Sequence, residues 1–124
     1  MKNEPMDQLK NLVAFNAAIA EADEEIQMVQ KKMNIHGHDK KYVSALNELK
    51  QKIVYYRYQK VKICLEVYDQ IETLEDEQEK RILKYRYIKE YQWDVIANKV
   101  GYSERQIYNI HKRALVNLDL RTYN

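Results

Sequence analysis

At 124 residues the chain is long enough for one compact domain, or for a small module with a helical extension. Two glycines and one proline leave little punctuation, and the abundance of Glu, Lys, Gln, Leu, Ile and Ala favours long helices and argues against strands. A net charge of +2 gives no bulk electrostatic case for nucleic acid, and the single Cys64 excludes an intrachain disulfide, which fits a reducing cytoplasm.

The first element predicted is a helix from Met6 to Met33. Leu12, Ile19, Ile26 and Met33 recur every seven residues, with Phe15, Ala22 and Val29 between them. That is an a/d seam, the pattern by which helices pair side by side, on a rod of roughly 40 Å. The apolar run Leu12 to Ala20 is too short to span a bilayer and is interrupted by Asn16, so neither a signal peptide nor a membrane contact is expected.

Residues 34–41 break the pattern, with His36-Gly37-His38-Asp39 as a turn. The seam resumes at Tyr42 and continues through Leu46, Leu49, Ile53 and Tyr56 to Val67 and Leu74, interrupted at Lys60 and Gln70. Two long helices around a short loop make an antiparallel hairpin. This hairpin, residues 1–70, is read as the oligomerisation or partner-contact part; whether it closes on itself or pairs with a second copy as a homodimer is left open by the pattern. Cys64 falls within it as a packing residue.

Residues 71–124 read as a second part. A helix is expected from Glu77 to Glu90, centred on Ile82, Leu83, Tyr85, Arg86 and Tyr87. Trp93 to Lys112 then has the spacing of a helix-turn-helix. Ile96 and Val100 give the first helix an apolar face, and Ala97 is small where two helices must touch. Gly101 sits where the backbone needs positive φ, and Ser103 suits the N-cap of the next helix. From Glu104 to about Asp119, Ile107, Ile110, Ala114, Leu115 and Leu118 turn one face inward. The other side carries Glu104, Arg105, Tyr108, Asn109, Lys112 and Arg113. Arg donates two hydrogen bonds to guanine and Asn pairs likewise with adenine, so Arg105 and Asn109 are the base-reading candidates. Ser103, Gln106, Tyr108, Lys112 and Arg113 complete the expected DNA-binding set, the last four as phosphate contacts, and His111 is read as a polar surface residue. Lys99, Arg105, Lys112, Arg113 and Arg121 make this end locally basic, whereas Glu72 to Glu79 carries five acids and no base.

The residues from Ile71 to Leu120 resemble the C-terminal domain of sigma-70-type factors, which reads the −35 promoter element. Arg81 to Tyr87 resembles its first helix, Val95 to Ser103 its helix and turn, and Ile107 to Leu115 its recognition helix. A closer resemblance is to small phage and prophage transcription regulators of the ArpU/RinA type. There Gly101-Tyr102-Ser103-Glu104-Arg105-Gln106-Ile107-Tyr108 is a typical run, and a helical hairpin stands in front. The resemblance implies an all-α chain, a coiled-coil hairpin followed by a sigma-70-like helix-turn-helix, that activates late phage genes in the bacterial host cytoplasm. It implies double-stranded DNA and RNA polymerase as partners and no cofactor, and places Glu104, Arg105 and Asn109 at base edges. The chain departs from that family's pattern in lacking the other sigma domains and in having uncharged Gln106 and Tyr108 where basic residues are usual.

Two other readings compete. A small terminase-like packaging adaptor also combines a DNA-binding helical unit with a hairpin, and a pure interaction coiled coil would leave the helix-turn-helix vestigial. Enzyme chemistry is not expected: there is no Gly-rich phosphate loop and no Cys cluster, and Ser44 and Ser103 lack His-Asp neighbours in sequence. His36 and His38 give only two metal ligands on a loop.

Overall fold

A computed structural model describes residues 5–123, with side chains to residue 119, and is all-helical. Helix α1 spans Pro5–His36 and α2 spans Lys40–Glu72; they pack antiparallel. A small three-helix region follows, made of α3 (Glu77–Leu83), α4 (Trp93–Val100) and α5 (Glu104–Tyr123). Pro5 opens α1 at a position where its missing N–H goes unmissed. Gly37 ends that helix with φ 82° while its N–H donates to Met33 O at 2.8 Å. The turn expected over 34–41 narrows to residues 37–39. Among the described residues no helix is long and apolar enough to cross a membrane.

The chain forms two compact units. The first, Val13–Lys62, is the bulk of the hairpin. Ala22, Met33, Leu49 and Ile53 are buried along the expected seam, and the Phe15 and Tyr56 rings meet at 6.0 Å.

The second unit takes the start of α1 through Leu12 together with the chain from Ile63 onward. Leu9, Leu12, Val67 and Ile71 are buried in one cluster with Leu83, Ala114 and Leu118. The ends of both long helices therefore pack with residues after 71. Each fully buried Leu or Ile in such a cluster stabilises by about 1.5–3 kcal/mol. Gln8 donates to the Glu66 carboxylate, and Lys84 pairs with Glu72 while lying 4.8 Å from the centre of the Tyr68 ring.

The helix expected from Glu77 to Glu90 is two pieces. Asp76 starts α3: its carboxylate accepts from the backbone N–H of Gln78 at 2.8 Å and of Glu79 at 3.1 Å. After Leu83 the chain widens into a π-helical turn over Lys84–Ile88, closed by Lys89 N–H to Lys84 O at 2.9 Å. Tyr91 N–H reaches Tyr85 O at 2.9 Å, and Glu90 between them takes φ 62°. The wider turn and the left-handed Glu90 stop the helix and bring Tyr91 within 5.5 Å of Tyr85, ring to ring.

Candidate nucleic-acid interface

The turn before α5 is built as the spacing predicts. Gly101 has φ 76° and ψ 27°, and its N–H donates to Ala97 O at 2.9 Å while Tyr102 N–H reaches the same oxygen at 3.2 Å. Ser103 then caps α5. Its hydroxyl accepts from Gln106 N–H at 3.2 Å, and the Gln106 side-chain oxygen accepts from Ser103 N–H at 2.9 Å. This reciprocal box satisfies two helix-end donors, so both side chains hold the helix start in place.

Under the turn, Ile82 of α3, Ile96 and Ala97 of α4 and Ile107 of α5 form a buried cluster. The Gln78 amide donates to the Tyr102 hydroxyl at 3.3 Å and ties the turn to α3. Ile107, Ala114 and Leu118 are buried and Ile110 and Leu115 half-buried, which fixes the rotation of α5. The opposite side is left outside: Glu104, Arg105, Asn109 and Lys112 are all exposed. Arg105 and Asn109 lie one helical turn apart, and Lys112 follows them at the next. None of these three takes an ion pair or side-chain hydrogen bond among the described residues.

The remaining expected contacts are placed differently from one another. Tyr108 is exposed, and its ring packs 5.0 Å from that of Trp93. Arg113 is on the flank of the exposed side, but its guanidinium donates to Glu79 at 2.8 Å and lies 3.7 Å from Asp76, and these carboxylates raise its pKa. Val116, exposed, adds an apolar group to the outer face. Near α3, Lys80, Arg81, Lys84 and Lys89 line an open groove of about 400 Å³; Lys80 pairs with Glu77 of the same groove, and Lys84 with Glu72 outside it.

His111 is not the surface residue that the sequence led us to expect. It is half-buried, its Nε2 lies 2.9 Å from the Tyr87 hydroxyl, and its ring meets Trp93 edge-on at 4.8 Å. Burial, and then the Arg86 charge, hold its pKa below the ordinary imidazole value. Arg86 lies 4.3 Å from the Trp93 ring centre and donates to Tyr91 O at 3.1 Å. The π-helical turn thus supplies the Arg86 and Tyr87 that brace α4 against α5. The spacing Ile107, His111, Ala114, Leu118 was the available signal, since it puts His111 on the inner face.

Comparison with known protein families, with curated proteins and with solved structures found no match. Among the described residues no group of His, Cys, Asp and Glu is placed to hold a metal ion. His36, the last residue of α1, stacks on Tyr42 at 6.3 Å.

Proposed function

We propose that this chain is a sequence-specific DNA-binding transcription regulator of the phage late-activator kind, working at a promoter with RNA polymerase. The observation that carries the reading is the Arg105–Asn109–Lys112 line, exposed and unpaired on a helix whose other side is locked into a core immediately after a left-handed glycine turn. A helix held in this way enters a major groove with no rearrangement. Arg105 reads guanine, Asn109 reads adenine, and Lys112 meets phosphate. Ser103 and Gln106 set the entry angle through the capping box and leave backbone N–H groups near the phosphates. Arg113, already neutralised by Glu79, contributes less to phosphate affinity than Lys112.

Selection of bound duplexes from a random pool tests this. The wild-type chain should enrich one motif. Arg105→Ala should weaken binding to it by about 5- to 150-fold, equivalent to roughly 1–3 kcal/mol, and relax a single base position. Lys112→Ala should weaken all sequences alike and flatten the salt dependence by about one ion. Enrichment of no motif, or an Arg105→Ala chain with unchanged preference, overturns the assignment.

A further inference from the structure

Within the Val13–Lys62 unit, α2 is apolar on two sides. Leu49, Ile53 and Tyr56 face α1. Val54, Tyr58 and Val61 repeat at 4,3 spacing on a second stripe, roughly 140° around the helix at 3.6 residues per turn. They are 69%, 62% and 57% exposed. The same spacing continues in the sequence through Leu65 and Tyr68. A stripe of this kind is the seam of a helix pair that lacks its second helix.

The charges beside the stripe say what that helix carries. From Leu49 to Leu65 α2 has no acidic residue, and Lys50, Arg57 and Lys62 flank the stripe. Lys50 and Arg57 take no ion pair among the described residues, and Lys62 only lies over the Tyr58 ring at 5.5 Å. Two α2 stripes laid together would set these cations against one another. Helix α1 holds the complement. From Asn11 to Gln30 it has no basic residue, and its side away from α2 presents Val13, Ala17 and Ala20 followed by Glu21 and Glu24. All five are exposed, and both carboxylates are without an ion pair among the described residues. The alanines leave room for the bulk of Tyr58, and the glutamates meet the lysines.

We infer that copies of this chain associate head to tail, the basic Val54–Tyr58–Val61 stripe of one hairpin seated on the small, acidic outer face of α1 of the next. Each copy uses two different surfaces, so the contact is heterologous and builds a ring or an open row instead of stopping at a two-fold dimer. This goes beyond the DNA-binding reading and does not depend on it.

The test is mass by light scattering on the full chain and on two variants. Tyr58→Ser with Val61→Ser removes the stripe, and Glu21→Lys with Glu24→Lys reverses the acidic face. All four positions are exposed, and helical circular dichroism with a thermal melt checks that each variant folds. Wild type should exceed two copies at tens of micromolar concentration and dissociate in high salt. Each variant alone should be monomeric, and an equal mixture should form a one-to-one dimer that grows no further, because only one intact surface of each kind remains. A monomeric wild type would overturn the inference. A glutamate variant that still dimerises, or a mixture that stays monomeric, would overturn it in favour of a two-fold contact or of none.

Discussion

The Arg113 guanidinium and the Glu79 carboxylate join α5 to α3 through a hydrogen bond of 2.8 Å, and the carboxylate is 3% exposed while the arginine is half outside. Asn117 donates to the other Glu79 oxygen at 2.8 Å. A buried carboxylate held by two donors from one helix fixes the rotation of that helix about its axis. Removing Arg113 leaves the charge buried with only the amide, so Arg113→Ala should destabilise by about 2 kcal/mol in urea denaturation. Glu79→Gln, which needs no counter-charge, should cost less, and the double variant should be less than additive. Equal and additive losses would show that the pair is not coupled.

The capping box at the head of α5 gives a second expectation. Ser103→Ala removes the oxygen that accepts from Gln106 N–H and should cost about 1 kcal/mol. Gln106→Ala removes the reciprocal bond, and the two losses should again be less than additive because each side chain positions the other. In DNA binding, both variants should weaken motif and non-motif duplexes alike. A change in preferred sequence on Ser103→Ala would instead place the hydroxyl at a base.

The sequence exposed these features unequally. The hairpin seam was legible because Leu12, Ala22, Leu49 and Ile53 obey one local periodicity that the packing then uses. Gly101, Ser103 and Ile107 were legible for the same reason, since a tight turn admits few residue types. The π-helical turn was not. Lys84 to Ile88 contains neither Gly nor Pro, and the widening comes from the packing that draws Tyr85 to Tyr91 and Arg86 to Trp93. The Arg113–Glu79 bond was not legible either, because its partners are 34 residues apart and no spacing rule connects them. The second stripe on α2 was hidden by the first: Tyr58 and Val61 look like part of a single apolar segment until burial separates the two sides.

Gly101→Ala isolates backbone strain from crowding. A Cβ at this position meets nothing within 4 Å, yet φ is +76°. The variant should therefore lose about 1–2 kcal/mol through conformation alone. Gly101→Asn should lose less, because Asn enters the left-handed region more readily. If Ala and Asn are equally well tolerated, the turn does not need the positive φ.

His111 makes stability depend on pH, and the direction follows from its surroundings. Burial pushes the Tyr87 hydroxyl up, and it shares a hydrogen bond of 2.9 Å with His111 Nε2. Protonating the ring puts a charge in a half-buried site and a second cation beside Arg86. The groups facing it are Tyr87 and Arg86 from the π-helical turn and Trp93 from α4. The unfolded imidazole titrates near 6.5 and the folded one lower, so below pH 6.5 the unfolded chain binds the proton first. The His111 contribution is full above that value and is lost as pH falls toward the folded value, with a slope no steeper than about 1.4 kcal/mol per pH unit. Trp93, the sole tryptophan, reports the transition by its emission in urea at pH 5 to 8. His111→Gln should remove the part of the fall between pH 6.5 and 5 that this ring contributes. Wild type and His111→Gln chains with the same pH profile would show that the ring does not titrate against the fold.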